Sequence, residues 1–429
     1  MSARWLLVVL LFAGQDGVQK LIEELRDGDI TTRESAERHL IDAGPAALPS
    51  LEPLLKTADI DFKPRLAFVI ETIKVRAKRA AAMKSGVRLS LVAESEPFRD
   101  VIKRIESLSG FEVWIDKDVE DRRVTLTLKD TPYLDAITQI CRAHGAARIT
   151  THDDHFITEM NAWRRAEPAK RAMFQISPGK STREPVCFEG PFRIALSRIS
   201  RSRNTGPSPS SCGIALDLLW GPNVPVVGLE NLWTDVIKDD QGRDLIPREG
   251  KRGSGSGFFN DGPVPSIYDA RFYTGPRSDL GDAKSLSRVE GRIPVWIAGS
   301  RETVRLEPAK CVKAAQRVGR LTVTISGIDV RDGVCEVAYT AIDNGKPGSW
   351  WVNPHNPRPT ISWTFLDAEG RPLPCTEWKH RSEKERNIDV CRVPLKDEAT
   401  LAVIEIAALG DFFCVEVPFR FVDVPVPQW

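Results

Sequence analysis

The feature that most constrains the fold of this chain is an internal duplication in its C-terminal half. From about residue 187 onward, short alternating apolar runs are separated by Gly, Pro, Asn and Asp, which is typical of strands and turns. The run at 192–199 matches the run at 321–328, and each opens one copy. The repetition predicts two all-β domains, at 187–310 and 311–429, each ending with a strand of its own.

A shared turn supports the duplication. The sequence Asp-x-x-Gly-Arg follows a tryptophan-containing strand in both copies, at Asp239 and at Asp367. The glycines of the turns, Gly242 and Gly370, lie 128 positions apart. In such a turn the Asp side chain starts the turn and Gly supplies a positive φ between hairpin strands.

The tryptophans of the preceding strands strengthen the match. Trp233 and Trp363 lie 130 positions apart, so the two strands are expected to be equivalent. Tandem β-sandwiches of immunoglobulin-like architecture are the economical fold for such copies. Neither copy contains the Cys-Trp-Cys signature of antibody domains, so the likeness is one of architecture.

A smaller duplication occupies residues 87–159. An alternating strand followed by a helix that starts near a proline occurs at 87–105 and again at 124–140. A strand at 111–116 lies between the copies, and a hairpin at 147–158 is expected after them. The first helix carries an apolar stripe made of Phe98, Val101, Ile102, Ile105 and Leu108. The predicted order of elements is βαββαββ.

This order resembles the short domain at the amino terminus of secretins and TonB-dependent receptors, over residues 85–160. The pattern is carried by the helix starts at Pro97-Phe98-Arg-Asp100 and Pro132-Tyr133-Leu-Asp135 and by the Val-Thr-Leu strand at 124–126. The resemblance implies a protein-contact module of the cell envelope rather than a catalyst. The pore domain of secretins has no counterpart in the sequence, so the transport role of those families is not implied.

Residues 16–84 are predicted to be helical and to resemble HEAT repeats. Gly44-Pro45 separates two helices, and a spacing in the first part recurs in the second: Asp29, Arg33, Ala36 and Leu40 match Asp61, Arg65, Ala67 and Ile70. Fewer than two repeats are present, so we expect the region to lean on the next domain or on a partner. Residues 75–84 are interpreted as a solvated basic helix, with a membrane-surface patch as the alternative, and residues 161–186 as a linker.

The first 15 residues have the outline of a signal peptide. Arg4 precedes an apolar run from Trp5 to Ala13, which is shorter than the roughly 20 residues that a spanning helix needs. The chain is therefore expected to be exported, periplasmic or extracellular, and soluble or peripheral after removal of the leader. Retention of the leader as an anchor is the alternative.

The charge balance excludes one class of partner. The chain has 60 basic and 59 acidic residues and a formal charge of +1. A protein that binds nucleic acid through its phosphates needs a basic patch or an excess of positive charge, so no nucleic-acid partner is expected.

The eight cysteines contain no Cys-x-x-Cys pair, which argues against a zinc ribbon. In an oxidising compartment disulfides become plausible, and we expect one between Cys375 and Cys391, which flank one polar segment. Cys141 lies on the apolar side of a predicted helix and is expected to be a buried thiol.

The sequence contains one weak candidate for a metal site. His152-Asp153-Asp154-His155 offers ligands in His152, Asp154 and His155. Adjacent strand residues point to opposite faces, and the two aspartates are typical of a hairpin turn, so the turn is the favoured interpretation.

Candidate ligand-binding residues lie in both β copies. Residues 247–284 are expected to form a long loop, and Gly253-Ser-Gly-Ser-Gly257 within it fits neither a phosphate loop nor a nucleophile elbow. In the second copy, Trp350, Trp351 and His355 could form a stacking platform for glycan or peptide, although packing of the tryptophans is the favoured interpretation.

Taken together, these patterns predict a multidomain α+β chain with a non-catalytic role. The favoured function is a scaffold or protein-interaction protein of the cell envelope, with other envelope proteins as partners and without a cofactor. The alternatives are a glycan- or peptide-binding protein and an enzyme of unrecognised type, for which the sequence names no catalytic residue.

Overall fold

The computed structural model is helical in its N-terminal part and mostly β thereafter. It divides into two compact units, of which the first ends at Lys84 and the second begins at Ser85. The structure describes residues 15–150, 174–179, 185–202, 211–221, 224–245, 254–256, 269–274, 283–319, 321–343, 361–373, 375, 377–383, 386–395 and 400–426. Within these residues no helix is both long and apolar enough to cross a membrane.

The helices of the first unit pack around one apolar core. Its elements are α1 (Gln15–Glu24), α2 (Ile30–Ala43), α3 (Leu48–Leu51) and α4 (Phe62–Lys84), with 3-10 turns at Gly44–Ala47 and Glu52–Lys56. The buried core includes Leu25, Leu40, Leu51, Leu66 and Ile73. The basic residues 75–84 continue α4 without a break instead of forming a separate helix.

Two aspartates begin the matching helices of this unit. Asp29 accepts a hydrogen bond from the Thr32 N–H (2.9 Å), and hydrogen bonds from Thr31 and Thr32 lower the pKa of Asp29 to about 2. The Phe62 N–H donates in the same way to Asp59 (2.8 Å). Asp59, and not the Asp61 that the predicted spacing matches to Asp29, is therefore the residue that caps the second helix as Asp29 caps the first.

The second unit starts with a duplicated βα module. It contains β1 (Arg88–Pro97), α5 (Phe98–Ser109), β2 (Trp114–Ile115), β3 (Arg123–Pro132), α6 (Tyr133–His144), β4 (Ala147–Thr150) and β5 (Gln175–Pro178). β1 pairs with β3 in an antiparallel sheet, and β2, β5 and β4 form a second sheet. Both helices start immediately after their proline and end at a left-handed glycine.

The contacts between the two copies are reciprocal. The Phe98 N–H donates to the Arg122 carbonyl, and 35 residues on, the Tyr133 N–H donates to the Val87 carbonyl, both at 2.9 Å. The Ser95 N–H donates to the Thr125 hydroxyl (3.0 Å), just as the Asp130 N–H donates to the Ser90 hydroxyl (2.9 Å). Ser95 and Asp130 both have a positive φ at a bulge. Each copy thus completes the other.

Two sequence predictions for this module need correction, and a third falls outside the described residues. The segment predicted to be a linker contains β5, a strand too short to show periodicity in the sequence. Burial of Ile176 and parallel pairing with β2 stabilise this strand. Leu108 is 59% exposed and leaves the apolar stripe. Residues 155–158, expected to pair with β4, lie outside the described residues, and β5 pairs with β4.

The described residues after β5 form three sheets. Its strands are β6 (Val186–Glu189), β7 (Phe192–Ser202), β8 (Ser211–Trp220), β9 (Val226–Leu229), β10 (Trp233–Asp239), β11 (Ser254–Ser256), β12 (Asp269–Thr274), β13 (Ser285–Leu306), β14 (Ala315–Val318), β15 (Leu321–Arg331), β16 (Val334–Asp343), β17 (Ile361–Leu366), β18 (Pro372–Leu373), β19 (Glu377–Glu383), β20 (Arg386–Pro394) and β21 (Val403–Pro425), with helix α7 (Pro308–Cys311) before β14. We call β6–β13 the first repeat and β14–β21 the second repeat.

The two repeats have the same strand order. One sheet runs β11-β12-β8-β7-β6 and another runs β19-β20-β16-β15-β14. β7 and β15 are bulged at equivalent serines: the Ser197 hydroxyl donates to the Ala215 carbonyl (3.3 Å) and the Ser326 hydroxyl to the Ala338 carbonyl (3.1 Å). The two repeats thus share their strand order and the position of this bulge.

The third sheet, which we call the shared sheet, belongs to both repeats. Its order is β10-β13-β21-β17-β18, with β9 also paired to β13. β13 and β21 are antiparallel along almost their whole length, from Ser285 opposite Pro425 to Leu306 opposite Ile404. β10 pairs with the first half of β13, and β17 pairs with the first half of β21. The second half of β13 therefore pairs with the first half of β21 in the second repeat, and the second half of β21 pairs with the first half of β13 in the first repeat.

This shared pairing corrects the expectation that each copy ends with a strand of its own. In the second repeat, β15, β16 and β20 pack face to face against part of the shared sheet, and Leu306 of β13 belongs to that core together with Val323, Cys335, Phe365 and Ile406. In return, residues 413–425 of β21 lie beside the first half of β13 and β21 contacts β6 and β7. Neither repeat ends with a strand that serves it alone.

Candidate interaction site on the shared sheet

The residues that the sequence singled out for ligands fall outside the described parts of the chain. This holds for the proposed platform, Trp350, Trp351 and His355, and for the weak metal candidates, His152, Asp154 and His155. Across the ranges that the structure describes, no group of three or more His, Cys, Asp or Glu residues is arranged to hold a metal ion.

The expected loop at 247–284 is in part a sheet edge. Ser254–Ser256 form β11, and Asp269–Thr274 form β12, which pairs with β8. Gly and Ser lower strand propensity, but a neighbouring strand with free backbone groups overrides a preference that spans only about 1 kcal/mol. The glycine-rich segment is thus partly a strand of the first repeat.

Cys375 and Cys391 form a disulfide with their Cα atoms 6.3 Å apart. The polar segment between them is not a loop but a hairpin of β19 and β20. Cys375 follows β18 of the shared sheet, whereas Cys391 lies in β20 of the opposite sheet. The disulfide therefore ties the connection between β18 and β19, where the chain passes from one sheet to the other, to β20.

Three further cysteines lie in poorly reactive surroundings. Cys141 is fully buried on α6, as its position in the apolar stripe predicts. Burial raises the pKa of the Cys335 thiol, and burial also raises the pKa of Cys187 to about 11. The thiolate is the reactive form, so at neutral pH these two side chains are inert.

The Asp-x-x-Gly-Arg turn of the first repeat is a closed hydrogen-bonded unit. The Asp239 carboxylate is fully buried and accepts from the N–H groups of Gln241 (3.0 Å) and Arg243 (2.8 Å) and from the Arg243 side chain (2.5 Å). Burial acts to raise the pKa of Asp239, but these hydrogen bonds outweigh it and the pKa lies below its ordinary value. Gly242 has a φ of 79°.

The second turn repeats this geometry. Asp367 accepts from the N–H groups of Glu369 (3.1 Å) and Arg371 (2.7 Å) and from the Arg371 side chain (2.7 Å), and Gly370 has a φ of 77°. Burial is again the largest influence on the pKa of Asp367, and the hydrogen bonds from Arg371 again bring the pKa below its ordinary value. The predicted role of Asp and Gly in these turns is confirmed, and the role is structural.

The most distinctive accessible feature is a row of charges on the outer face of the shared sheet. We call it the ribbon face and define it by Arg288, Glu290, Arg292, Glu416 and Arg420, which alternate along β13 and β21. Glu290 accepts a hydrogen bond from Arg288 (2.6 Å) and forms an ion pair with Arg420 (3.0 Å). The Arg288 hydrogen bond holds the pKa of Glu290 below its ordinary value. The two long strands are thus joined by side chains as well as by their backbones.

The neighbouring part of the ribbon face combines charge with an aromatic ring. The Arg292 guanidinium lies 3.7 Å from Asp235 and 3.5 Å from Glu416. It also lies over the Trp233 ring, 5.7 Å from the ring centre. Arg420 and Glu416 keep 66% and 62% of their side-chain surface accessible, so the face can form ion pairs and hydrogen bonds with another protein.

Trp233 reaches this face because of a bulge that the sequence comparison missed. The register of β10 shifts between Thr234 and Val236, so Thr234 is buried and Trp233 is only half-buried. Trp363 of the second repeat is buried in the core. The predicted equivalence of the two tryptophans was therefore wrong, although the turns that follow them are equivalent.

Sequence reasoning also missed the ribbon face itself. A signal was present, since Arg288, Glu290 and Arg292 alternate with apolar residues at a period of two. Their ion-pair partners, Glu416 and Arg420, lie more than 120 positions away in sequence, so only the pairing of β13 with β21 brings them together.

Comparison with known proteins adds no family. No protein-family model matches the chain, and no curated protein matches it. Among solved structures, a conserved domain protein from Bacillus anthracis matches at 10% identity, covers 55% of this chain and 89% of its own, and has a TM-score of 0.18. Bovine butyrophilin matches at 13% identity, covers 50% of this chain and 92% of its own, and has a TM-score of 0.14.

Neither likeness is close enough to support an argument about fold or function. The resemblances to HEAT repeats and to the short N-terminal domain of secretins and TonB-dependent receptors stay predictions.

Proposed function

We propose that this chain is an exported, non-catalytic scaffold that presents the ribbon face for contact with other proteins of the cell envelope. In this proposal residues 187–429 form two tandem β-sandwiches. The observation that carries it is the pairing of β13 with β21 across both repeats. A backbone ladder shared by two repeats resists bending between them, which is a property that a scaffold needs.

The chemistry of the ribbon face supports a protein partner. Transient protein interfaces are rich in arginine and in aromatic side chains with a polar rim, and Arg292 over Trp233 provides both. The mixed signs of the charges favour a partner with a complementary row of charges over a polyanion.

Two observations support export. The first residues have the outline of a signal peptide, and the Cys375–Cys391 disulfide suits an oxidising compartment. Fractionation of cells that express the full chain tests this, with alkylation of thiols before and after reduction. We expect the protein outside the cytoplasm with two cysteines protected until reduction.

The contact function is tested with a photo-activatable cross-linking residue placed at Arg420. The matched control carries the same residue at Arg331, which is 82% exposed at the end of β15, away from the ribbon face. We expect discrete cross-linked products with envelope proteins from position 420 and none from position 331. Equal products from both positions would contradict a specific contact surface.

The glycan alternative has its own readout. If Trp350→Ala and Trp351→Ala abolish retention on a polysaccharide array, while cross-linking from position 420 yields nothing, the protein is a glycan-binding protein and the scaffold proposal falls.

A further inference from the structure

The first half of β13 has a position for one neighbouring strand that the first repeat does not itself supply. One edge of this half pairs with β10 and β9. The other edge, from Ser285 to Ile297, pairs with residues 413–425 at the end of the chain. Val417, Phe419 and Phe421 of that segment are buried. The sheet of the first repeat is complete only when this last strand is in place.

The position recognises its strand by more than backbone pairing. Apolar side chains alternate along the incoming strand, as a half-buried strand requires. Two ion pairs then set its register, from Arg420 to Glu290 at 3.0 Å and from Glu416 to Arg292 at 3.5 Å. A strand displaced by one residue would turn its apolar side chains outward and lose both pairs.

The strand that fills the position is far away in sequence. Strands β14–β20 lie between β13 and β21 in the chain, so β13 is synthesised well before the strand that completes its edge. Pairings between distant segments are slow to form, and an open edge meanwhile accepts any strand of the right pattern. The same segment of a second copy of the chain has that pattern in full.

We propose that this edge of β13 is a strand-acceptor site that takes residues 413–425 of a second copy of this chain as well as its own. The result is a strand-exchanged dimer in which each copy completes the first repeat of the other. Because the second copy must compete with a strand on the same chain, the exchanged fraction rises with protein concentration during folding.

Cysteine pairs test this proposal in the full-length chain. Arg288 and Val422 lie opposite each other in the register, and directly opposed residues of antiparallel strands are within reach of a disulfide. The single variants Arg288→Cys and Val422→Cys are mixed, unfolded in urea and refolded together under mild oxidation. We expect a covalent dimer whose yield increases with concentration. A mixture of Arg288→Cys with Val330→Cys, which is exposed on β15, is the control for random cross-linking.

The double variant Arg288→Cys/Val422→Cys shows whether the folded register is present. We expect it to form a disulfide within one chain when refolded in dilute solution. If it does, and the mixed single variants give no more dimer than the control at any concentration, the proposal is overturned. Failure of the double variant to close would overturn it too, since the register that defines the site would be wrong.

Discussion

The first and second β repeats share strand order, bulge and turn, yet they are closed in different ways. The second repeat contains the Cys375–Cys391 disulfide, which ties the connection between β18 and β19 to β20. The first repeat has no counterpart to this disulfide in its described residues, and its shared-sheet layer depends on a strand from the far end of the chain. Duplication thus preserved the topology while the means of closure diverged.

This difference predicts which substitutions should destabilise each repeat. The second repeat depends on a covalent bond between segments 16 residues apart. Both repeats use the non-covalent pairing of β13 with β21, but the first repeat has no disulfide among its described residues to support it. Four sets of variants test this contrast, from the largest expected effect to the smallest.

Val417→Asp should have the largest effect, and the effect should appear in the first repeat. Val417 is fully buried near the end of β21, so the substitution places a carboxylate in an apolar core and costs about 4 kcal/mol. Urea unfolding measures the loss, and hydrogen exchange locates it in β7 and β8. Val422→Asp, at a site that is 54% exposed on the same strand, should be near neutral. Loss of hydrogen-exchange protection confined to the second repeat would contradict the assignment of residues 413–425 to the first repeat.

Cys375→Ser should destabilise the second repeat by about 3 kcal/mol, the value expected for opening a loop of this length. The first repeat should keep its hydrogen-exchange protection. A reducing agent provides the control, because it should lower the stability of the wild type to that of the variant and leave the variant unchanged. If reduction weakens both repeats equally, the disulfide does not distinguish them.

Asp239→Ala should cost about 2 kcal/mol at pH 7, since it removes the buried charged acceptor of two backbone N–H groups and of the Arg243 side chain. The folded pKa of Asp239 lies below the unfolded value, so its contribution is complete above the unfolded pKa, near 4, and declines as the pH falls through the folded pKa. The difference in unfolding free energy between wild type and variant should therefore shrink in acid. Asp367→Ala should show the same trend with pH, and an opposite trend would break the equivalence of the turns.

Ser197→Ala and Ser326→Ala should have the smallest effects, about 0.5 to 1 kcal/mol each, because each removes one hydroxyl hydrogen bond to a carbonyl at a bulge. Thermal unfolding of the two variants side by side measures them. A large difference between the two would mean that the bulges have taken on separate roles.

The sequence supports prediction of features that depend on local chemistry. The Asp-x-x-Gly-Arg turns, the burial of Cys141 and the doubled strand and helix of the βα module all follow from spacing and residue type. Each involves residues close together in the chain or a period that a single element imposes.

Features that depend on which distant strand a segment pairs with could not be predicted from the sequence. An alternating strand shows which residues share a face but not which strand lies beside it, so β13 and β21 were each assigned to one repeat. β5 has four residues and gained its place only from β2 and β4. One bulge in β10 was enough to turn Trp233 away from the position of Trp363. The candidate site on the shared sheet combines all of these distant effects.

The sharing of β13 and β21 also bears on how such a chain can change over evolutionary time. A recombination breakpoint or gene fission between residues 310 and 311 would leave each product with a long strand whose partner is encoded elsewhere. The copies that arose by duplication can no longer be inherited, shuffled or lost one at a time. Only the double repeat contains both of the long strands that each copy needs.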